Sequence, residues 1–470
     1  MRLGDLMGIQ TERAAVTVAG ITADSRAVAP GFVFAALPGA RHDGRRFIGE
    51  AVARGACAVL APAGTPWPPG VPPRPLIEDA EPRRRLAQIA SRLAGGQPGT
   101  VAAITGTNGK TSTAEFLRQI WALGGCQAAS LGTLGVIAPD WPQGGGLTTP
   151  DPVALAATLA GLHRAGVKRA AIEASSHGLD QFRLDGVRLA GGAFTNLTRD
   201  HLDYHGTMHA YRAAKLRLFD ALLPRGAPAV ASAALDPETL AALRAACARR
   251  GLSLRIAGEA DLADLRLLRV TARPDGQEIE IAQDGTRRTI ALPLPGRFQA
   301  ENALVAALLA EGLGERSVLD RLPRLTGVRG RLELAARLAN GAAVYVDYAH
   351  TPDALARLLT ALRPHASGRL HVVFGAGGDR DPGKRPLMGE AAARHADVVV
   401  VTDDNPRGED PAAIRDAVRA GAPGARDGGA REAAIASAMS DLGPGDVLAV
   451  AGKGHEQGQT IGGVTLPFDD

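Results

Sequence analysis

The stretch VAAITGTNGKTSTAEFL, residues 101–117, decides the fold. Val101–Ile104 is a short uninterrupted apolar run, the pattern of a strand buried on both faces. Gly106 and Gly109 follow, and a helical pattern then runs from about Lys110 to Leu123. A strand that turns through glycines into a helix can hold phosphate. The glycines let backbone N–H groups approach phosphate oxygens, and the helix N-terminus adds positive potential. Thr107, Asn108 and Ser112 belong to the same turn. Lys110 is placed to reach the β- and γ-phosphates of ATP, and Thr111 offers a hydroxyl to Mg²⁺. The full P-loop pattern has Gly at 104, where this chain has Ile, so only G-x-x-G-K-[ST] is matched.

Outward from this unit, RAAIE (169–173) and GGAFTN (191–196) read as further buried strands ending in polar residues. The uncharged stretch from Gln119 to Pro139 reads as a helix end plus a loop. Upstream, FVFAAL (32–37) and ACAVLA (56–61) read as strands around a helix near Phe47–Arg54. A Pro-rich loop (61–75), a helix from Glu81 to Ala94 and the break at Gly95–Gly99 follow. Between 263 and 294 short alternating strands turn at Pro274-Asp275-Gly276 and Gln283-Asp284-Gly285. A second α/β unit begins near Val328, with strands AVYVD (343–347), LHVVF (370–374), DVVVVT (397–402) and DVLAVAG (446–452). Helical patterns between them imply a parallel, doubly wound sheet. Ligands of such sheets sit beyond the carboxyl ends of the strands. Asp347, Asp379-Arg380, Asp404-Asn405-Pro406-Arg407 and Lys453-Gly454-His455-Glu456 follow those ends. The expected fold class is α/β in three domains: 1–97, 98–327 with a β-hairpin-rich part, and a Rossmann-like 328–470.

The 470 residues are 45% apolar and 22% charged, which is ordinary globular composition rather than that of a disordered chain. No apolar run is long enough to span a membrane. Asp5 and Glu12 interrupt the segment where a signal peptide would need an apolar core, so a cytoplasmic protein is expected. Cys57, Cys126 and Cys247 are far apart, with neither disulfide-framework nor zinc spacing. Net charge is +4, and no Lys/Arg block interleaves with aromatics, so nucleic acid is not an expected partner. Among 53 Lys and Arg residues only Lys110, Lys168, Lys215, Lys384 and Lys453 are lysine. Arg cannot act as a compact point charge and does not readily deprotonate, so a retained Lys is a candidate for a role Arg cannot fill.

The loop TGTNGKTS resembles the ATP loop of the Mur ligases and of their relative folylpolyglutamate synthase. The likeness continues in order along the chain: DSR (24–26), TTPDP (148–152), EASSHGLDQFR (173–183), NLTRDHLDYHGTMHAYRAAKLRLF (196–219), GRFQAEN (296–302), GVRGRLE (327–333), VDYAHTPDAL (346–355), GAGGDRDPGKRPLMG (375–389), TDDNPRGEDP (402–411) and AGKGHEQGQ (451–459). The resemblance implies an ATP-dependent amide ligase of peptidoglycan precursor synthesis. ATP would convert a carboxylate into an acyl phosphate, which an amine then attacks. Anionic phosphates and an anionic carboxylate must approach one another, so cations and metal matter more than a nucleophilic side chain.

By resemblance, 1–97 binds UDP-N-acetylmuramoyl-L-Ala-D-Glu through Asp24-Ser25 and the Gly39–Gly44 loop. Thr148, Thr149, Ser175, Gln181 and Arg183 would hold its muramoyl-dipeptide part. The central domain binds ATP, with Asn302, Arg331 and Asp347 also contacting the nucleotide. Glu173 offers the hard oxygen Mg²⁺ prefers; His201 is a metal residue only by resemblance. The resemblance also implies that Lys215 is carbamylated by CO₂ and that this anion helps hold a second Mg²⁺. The resemblance implies that the third domain binds the incoming amino acid. A site selecting meso-diaminopimelate over L-lysine needs a cation for the second carboxylate, and Arg suits a two-pronged partner. Asp404-Asn405-Pro406-Arg407 is similar to the family's diaminopimelate motif. Arg407 would pair the distal carboxylate, Asn405 and Glu456 the distal ammonium, and Arg380 and Gly452 would complete the pocket. A monomer is expected. Folylpolyglutamate synthase is disfavoured by the domain at 1–97 and by the 404–407 motif; a non-catalytic relative is disfavoured by the presence of Lys110, Glu173 and Lys215.

Overall fold

The computed structural model describes residues 1–7, 15–39, 42–142, 147–273 and 275–470. Glu12, Ala40 and Arg41 of the 39–44 loop, and Pro274 of the first hairpin turn, lie outside the described residues. Two compact units are present, residues 1–256 with 308–316, and residues 257–307 with 317–470.

The first unit begins with a four-stranded parallel sheet, Gly20–Thr22, Phe32–Ala35, Ala58–Pro62 and Leu76–Asp79 in spatial order. The helix Pro82–Ala94 covers it, started by Pro in its first turn and stopped by Gly95 in the left-handed region. It buries Leu86, Ile89 and Ala90 against Val33, Leu60 and Ile77.

The same unit carries the strand Thr100–Thr105, which pairs in parallel with Arg169–Glu173 on one side and Gly191–Phe194 on the other. The loop that follows therefore leaves the carboxyl end of an interior parallel strand, the end at which doubly wound sheets take ligands. The following helix, Lys110–Leu123, packs with Phe116, Leu117, Ile120 and Trp121 fully buried. One expectation fails here. Within 119–139 the chain forms two strands, Ala128–Gly132 and Gly135–Ile137. Ala-Ala-Ser-Leu-Gly lacks the β-branched residues that mark a strand. Parallel pairing with 169–173 and an antiparallel partner at 135–137 set its conformation instead.

The second unit contains the antiparallel ladder Leu265–Arg273, Gly276–Gln283 and Thr286–Leu292. It also holds a six-stranded sheet in the order 333–337, 343–347, 447–451, 370–374, 398–402, 426–429, parallel apart from its first strand. Leu355, Leu359, Met388, Ile414 and Val418 from three helices cover one face of this sheet. Ala434, Ala438 and Leu442 cover the other. Among the described residues, no helix is long and apolar enough to cross a membrane.

Candidate active site

The phosphate loop is held by backbone geometry that only glycine satisfies at 106. Gly106 has φ +148°, and a Cβ there would lie 1.9 Å from Thr195 Oγ1. Gly109, with φ +81°, starts the helix at Lys110. The opposing segment 195–198 clamps the loop. Asn108 N–H donates to Asn196 Oδ1 at 2.9 Å, and Thr195 Oγ1 donates to Asn108 O at 2.6 Å. Thr198 N–H donates to Thr107 Oγ1 at 3.0 Å. Thr111 and Ser112 open the helix, Ser112 being buried.

Two lysines converge on one carbonyl of this loop. Lys110 Nζ donates to Gly106 O at 3.0 Å and Thr107 O at 2.8 Å. Lys215, from the helix Met208–Arg217, is 1% exposed and donates to the same Gly106 O at 2.7 Å. Its ammonium lies 4.5 Å from the centre of the Tyr211 ring. Burial, and then the neighbouring Lys110 charge, push Lys215 well below the ordinary lysine range. The neutral amine is thereby favoured, and a neutral amine is the form that adds CO₂. Burial also raises Tyr211, to about 12, and its hydroxyl stays 3.1 Å from Thr107 Oγ1.

Glu173 ends the strand beside the loop and is 2% exposed. Its Oε1 accepts from Thr133 N–H at 2.8 Å, and a Cβ at Gly132 would lie 1.9 Å from that oxygen. His201 sits with φ +51° at the start of a short helix, its side chain 48% exposed beside Asp200. Its ring lies 4.9 Å from that of His177 and 6.2 Å from that of Tyr211. Among the described residues, no group of three or more His, Cys, Asp or Glu forms a ready-made metal cage. One carboxylate and one hydroxyl suit Mg²⁺, which takes few protein oxygens and keeps waters and phosphates as its remaining ligands. Glu173 and Thr111 therefore fit that ion when a nucleotide is bound.

Thr148, Thr149, Ser175, Gln181 and Arg183 gather beside Glu173. Thr149 Oγ1 donates to Glu173 O at 2.8 Å and lies 3.0 Å from Ser175 Oγ. Thr148 Oγ1 is 3.0 Å from Thr133 Oγ1. Arg183 donates to Thr149 O at 2.6 Å and to Gln181 Oε1 at 2.7 Å. Gln181 and Arg183 also line a cavity of about 620 Å³ with Asp24, Leu37, Arg83 and Asp151. Ser25 is buried next to it, its hydroxyl on Glu50 at 3.2 Å. Arg83, anchored on Pro38 O at 2.6 Å, was not singled out from the sequence. Its only local signal is the Arg83-Arg84-Arg85 run opening a helix.

In the second unit, Asn302, Arg331 and Asp347 are linked. Asn302 Nδ2 donates to Gln299 Oε1 at 3.1 Å, and Gln299 to Arg331 O at 3.4 Å. Asp347 accepts from the Leu332 and Ala349 N–H groups, both at 2.8 Å. Burial nonetheless raises it above the usual carboxylate range. The Arg331 guanidinium stacks 5.0 Å over Tyr348.

Residues 404–407 form a turn at the end of the strand Val398–Thr402. Asn405 Nδ2 donates to Glu456 Oε2 at 3.0 Å. Its Oδ1 accepts from Thr460 N–H at 2.9 Å and from Lys453 Nζ at 3.4 Å, so the amide presents N–H towards Glu456. Asp404 is buried against Gly452, where a Cβ would meet its Oδ2 at 2.6 Å. Pro406 O packs on Gly378, leaving no room for a Cβ there. Arg407, at φ +52°, donates to Gly378 O at 2.7 Å. Exposed Arg380 approaches Gly377 from the same side as Arg407.

Three family models match the chain: "Mur ligase family, catalytic domain" at 17–92, "Mur ligase middle domain" at 104–310 and "Mur ligase, glutamate ligase domain" at 330–454. The chain is similar to proteins named UDP-N-acetylmuramoyl-L-alanyl-D-glutamate--2,6-diaminopimelate ligase. In Rhizobium meliloti (strain 1021) the identity is 50%, over 100% of this chain and 98% of that one. In Caulobacter vibrioides it is 53%, over 96% and 94%. A solved structure under the same name is 31% identical, covering 100% of this chain and 96% of that chain, with a TM-score of 0.76.

Proposed function

The chain belongs to the Mur ligase family, and we infer that it joins meso-2,6-diaminopimelate to the D-glutamyl γ-carboxylate of UDP-N-acetylmuramoyl-L-Ala-D-Glu, consuming ATP. The observation that carries the choice of amine is the turn 404–407, where Arg407 stands on Gly378 and Asn405 on Glu456. It offers a cation and an anion to the two ends of a second amino-acid head group. The full-length relatives named for this reaction support the same choice.

The chemistry follows from where charge must be handled. ATP lies with its phosphates on Gly106–Ser112, Lys110 leaving Gly106 O and Thr107 O for the β- and γ-phosphates. Asn302, Arg331 and Asp347 are assigned to the nucleotide on their match to the family's motifs. Glu173 and Thr111, with His201, would hold Mg²⁺, which would supply charge neutralisation between phosphate and carboxylate. Lys215, whose burial and Lys110 neighbour ease loss of its proton, would take up CO₂. The carbamate, formed as the amine adds CO₂ and loses a proton, would supply an anion suited to a second Mg²⁺ beside the phosphate loop. Ser25 binds the uridine end of the nucleotide-sugar substrate, and Thr148, Thr149, Ser175, Gln181 and Arg183 position its dipeptide. The γ-carboxylate takes the γ-phosphoryl group, giving an acyl phosphate and ADP. The amine of diaminopimelate then attacks the acyl carbon and phosphate leaves. At the distal end Arg407 pairs the carboxylate and Glu456 receives the ammonium. Asn405 orients Glu456, while Arg380, Asp404, Pro406 and Gly452 shape the pocket.

The test is phosphate release with the UDP-dipeptide, ATP and a panel of amines. Turnover with meso-diaminopimelate well above that with L-lysine is expected. No release with any diamino acid would overturn the assignment.

A further inference from the structure

Lys453 has no part in the roles given above, yet it is one of five lysines in an Arg-dominated chain and its side chain is fully buried. A buried ammonium needs partners for its charge and its three N–H groups. Three acceptors surround it: Gly458 O, with which it makes a short bond, Asn405 Oδ1 at 3.4 Å and Glu456 Oε2 at 3.6 Å. We propose that Lys453 is a positioning residue of the amino-acid pocket, fixing Asn405 and Glu456 in the arrangement that receives the distal ammonium of the incoming diamino acid. The proposal rests on the ligase assignment above.

The polarity of the contacts carries it. Lys453 and Thr460 N–H both donate to Asn405 Oδ1, so the amide cannot turn over without setting donors against donors. Its Nδ2 is therefore committed to Glu456 Oε2, the oxygen that also faces Lys453. A hydrogen bond from Asn405 and the charge of Lys453 at 3.6 Å thus act on one carboxylate oxygen and hold it in place. The same ammonium ties down Gly458, where the hairpin Gly458–Ile461 with Val464–Pro467 begins. Thr460 O of that hairpin accepts from Arg407 N–H at 2.9 Å. One point charge thus joins the segment carrying Glu456 to the turn carrying Asn405 and Arg407. The planar fork of Arg does not offer three compact, rotatable donors at one atom, which accounts for Lys at this position.

The experiment compares two amines on the full-length enzyme: meso-diaminopimelate, and 2-aminopimelate, which keeps the distal carboxylate but lacks the distal ammonium. Lys453→Met should lower the ratio of kcat/KM for diaminopimelate over 2-aminopimelate roughly tenfold or more. The loss should lie in KM for diaminopimelate, with KM for ATP and for the UDP-dipeptide within about twofold of wild type. In a Glu456→Gln background the same change should lower the ratio no further, because the two residues act as one unit. Should Lys453→Met fail to fold, Lys453→Gln keeps a donor for Gly458 without the charge and must lower the ratio likewise. The reciprocal measurement leaves Lys453 intact: Glu456→Gln alone must lower the ratio. An unchanged ratio in any of these single variants, or equal losses for both amines, overturns the inference while the ligase assignment stands. A wild-type enzyme that releases no phosphate with diaminopimelate overturns the assignment itself.

Discussion

Replacing Arg407 by Ala removes a half-buried guanidinium from the pocket and should abolish preference rather than catalysis. Nη1 is already fixed on Gly378 O at 2.7 Å, and a Cβ at Gly377 would come within 2.8 Å of it, so the plane of the group is set before substrate arrives. Truncating one side of a buried charge-assisted pair costs about 2–5 kcal/mol. Arg407 is only partly buried, so the lower part of that range applies, about 2–3 kcal/mol. At about 1.4 kcal/mol per tenfold, kcat/KM for meso-diaminopimelate should fall roughly 30- to 150-fold. L-Lysine has no distal carboxylate, and its use should change by no more than about threefold. Arg407→Lys should not restore the preference, because a single ammonium cannot reproduce a two-pronged contact. The backbone supplies a control. Arg407 adopts φ +52°, which glycine takes without strain, so Arg407→Gly should be at least as stable as Arg407→Ala while losing the same selectivity. The assay is kcat/KM for both amines in the wild type and the three variants, with thermal unfolding in parallel. Equal losses for both amines would refute the specificity role. A wild type that prefers lysine would refute the amine assignment and leave the amide-ligase chemistry intact.

Lys110→Met should reduce phosphate release at least about a hundredfold with the fold intact, since it removes the loop's cation from the phosphates; a variant retaining half its activity would sink the ATP-site assignment. Lys215→Ala should be nearly inactive and regain part of its turnover with formate or acetate, and mass spectrometry of the wild type in bicarbonate should show the carbamate. An unmodified Lys215 in a fully active enzyme would exclude that role. Asp446 concerns stability alone. Burial works to raise it, but the Arg369 and Gly443 N–H groups and the His371 and Arg369 side chains outweigh burial and hold it at about 2. A folded value below the unfolded one gives stability that is present above about pH 4 and lost as pH falls towards 2. His371, 3.1 Å away and lowered by its burial, acts in the same direction below its ordinary range. Asp446→Asn should cost on the order of 2 kcal/mol at pH 7 and flatten the loss of stability between about pH 4 and 2, measured by urea unfolding. An unaltered acid dependence would show that the pair is not what holds this end of the sheet.

The phosphate loop was legible in the sequence because everything that makes it lies within a dozen residues. A buried strand, Gly106, Gly109 and Lys110 dictate their own local backbone, and the helix starts at Lys110 as its spacing implies. The strands RAAIE, AVYVD and LHVVF were legible for the same reason, each built on a short, mainly apolar run. The turn 404–407 was legible through its resemblance to a family motif, and its part in holding the amine is the proposal made above. Tertiary structure decided what those residues face. Ala128–Gly132 is a strand only because two neighbours supply its hydrogen bonds. Arg83 enters the cavity with Asp24 and Arg183 only because the helix opening at Pro82 packs where it does. Lys453, Asn405 and Glu456 meet across about fifty residues of chain, and Lys215 reaches Gly106 across more than a hundred. A pattern in sequence reports the conformation a few neighbouring residues prefer. Burial, charge pairing and the loss of a proton depend on strand order and helix packing, which bring distant residues within 3 to 4 Å, where desolvation and Coulomb energies become large.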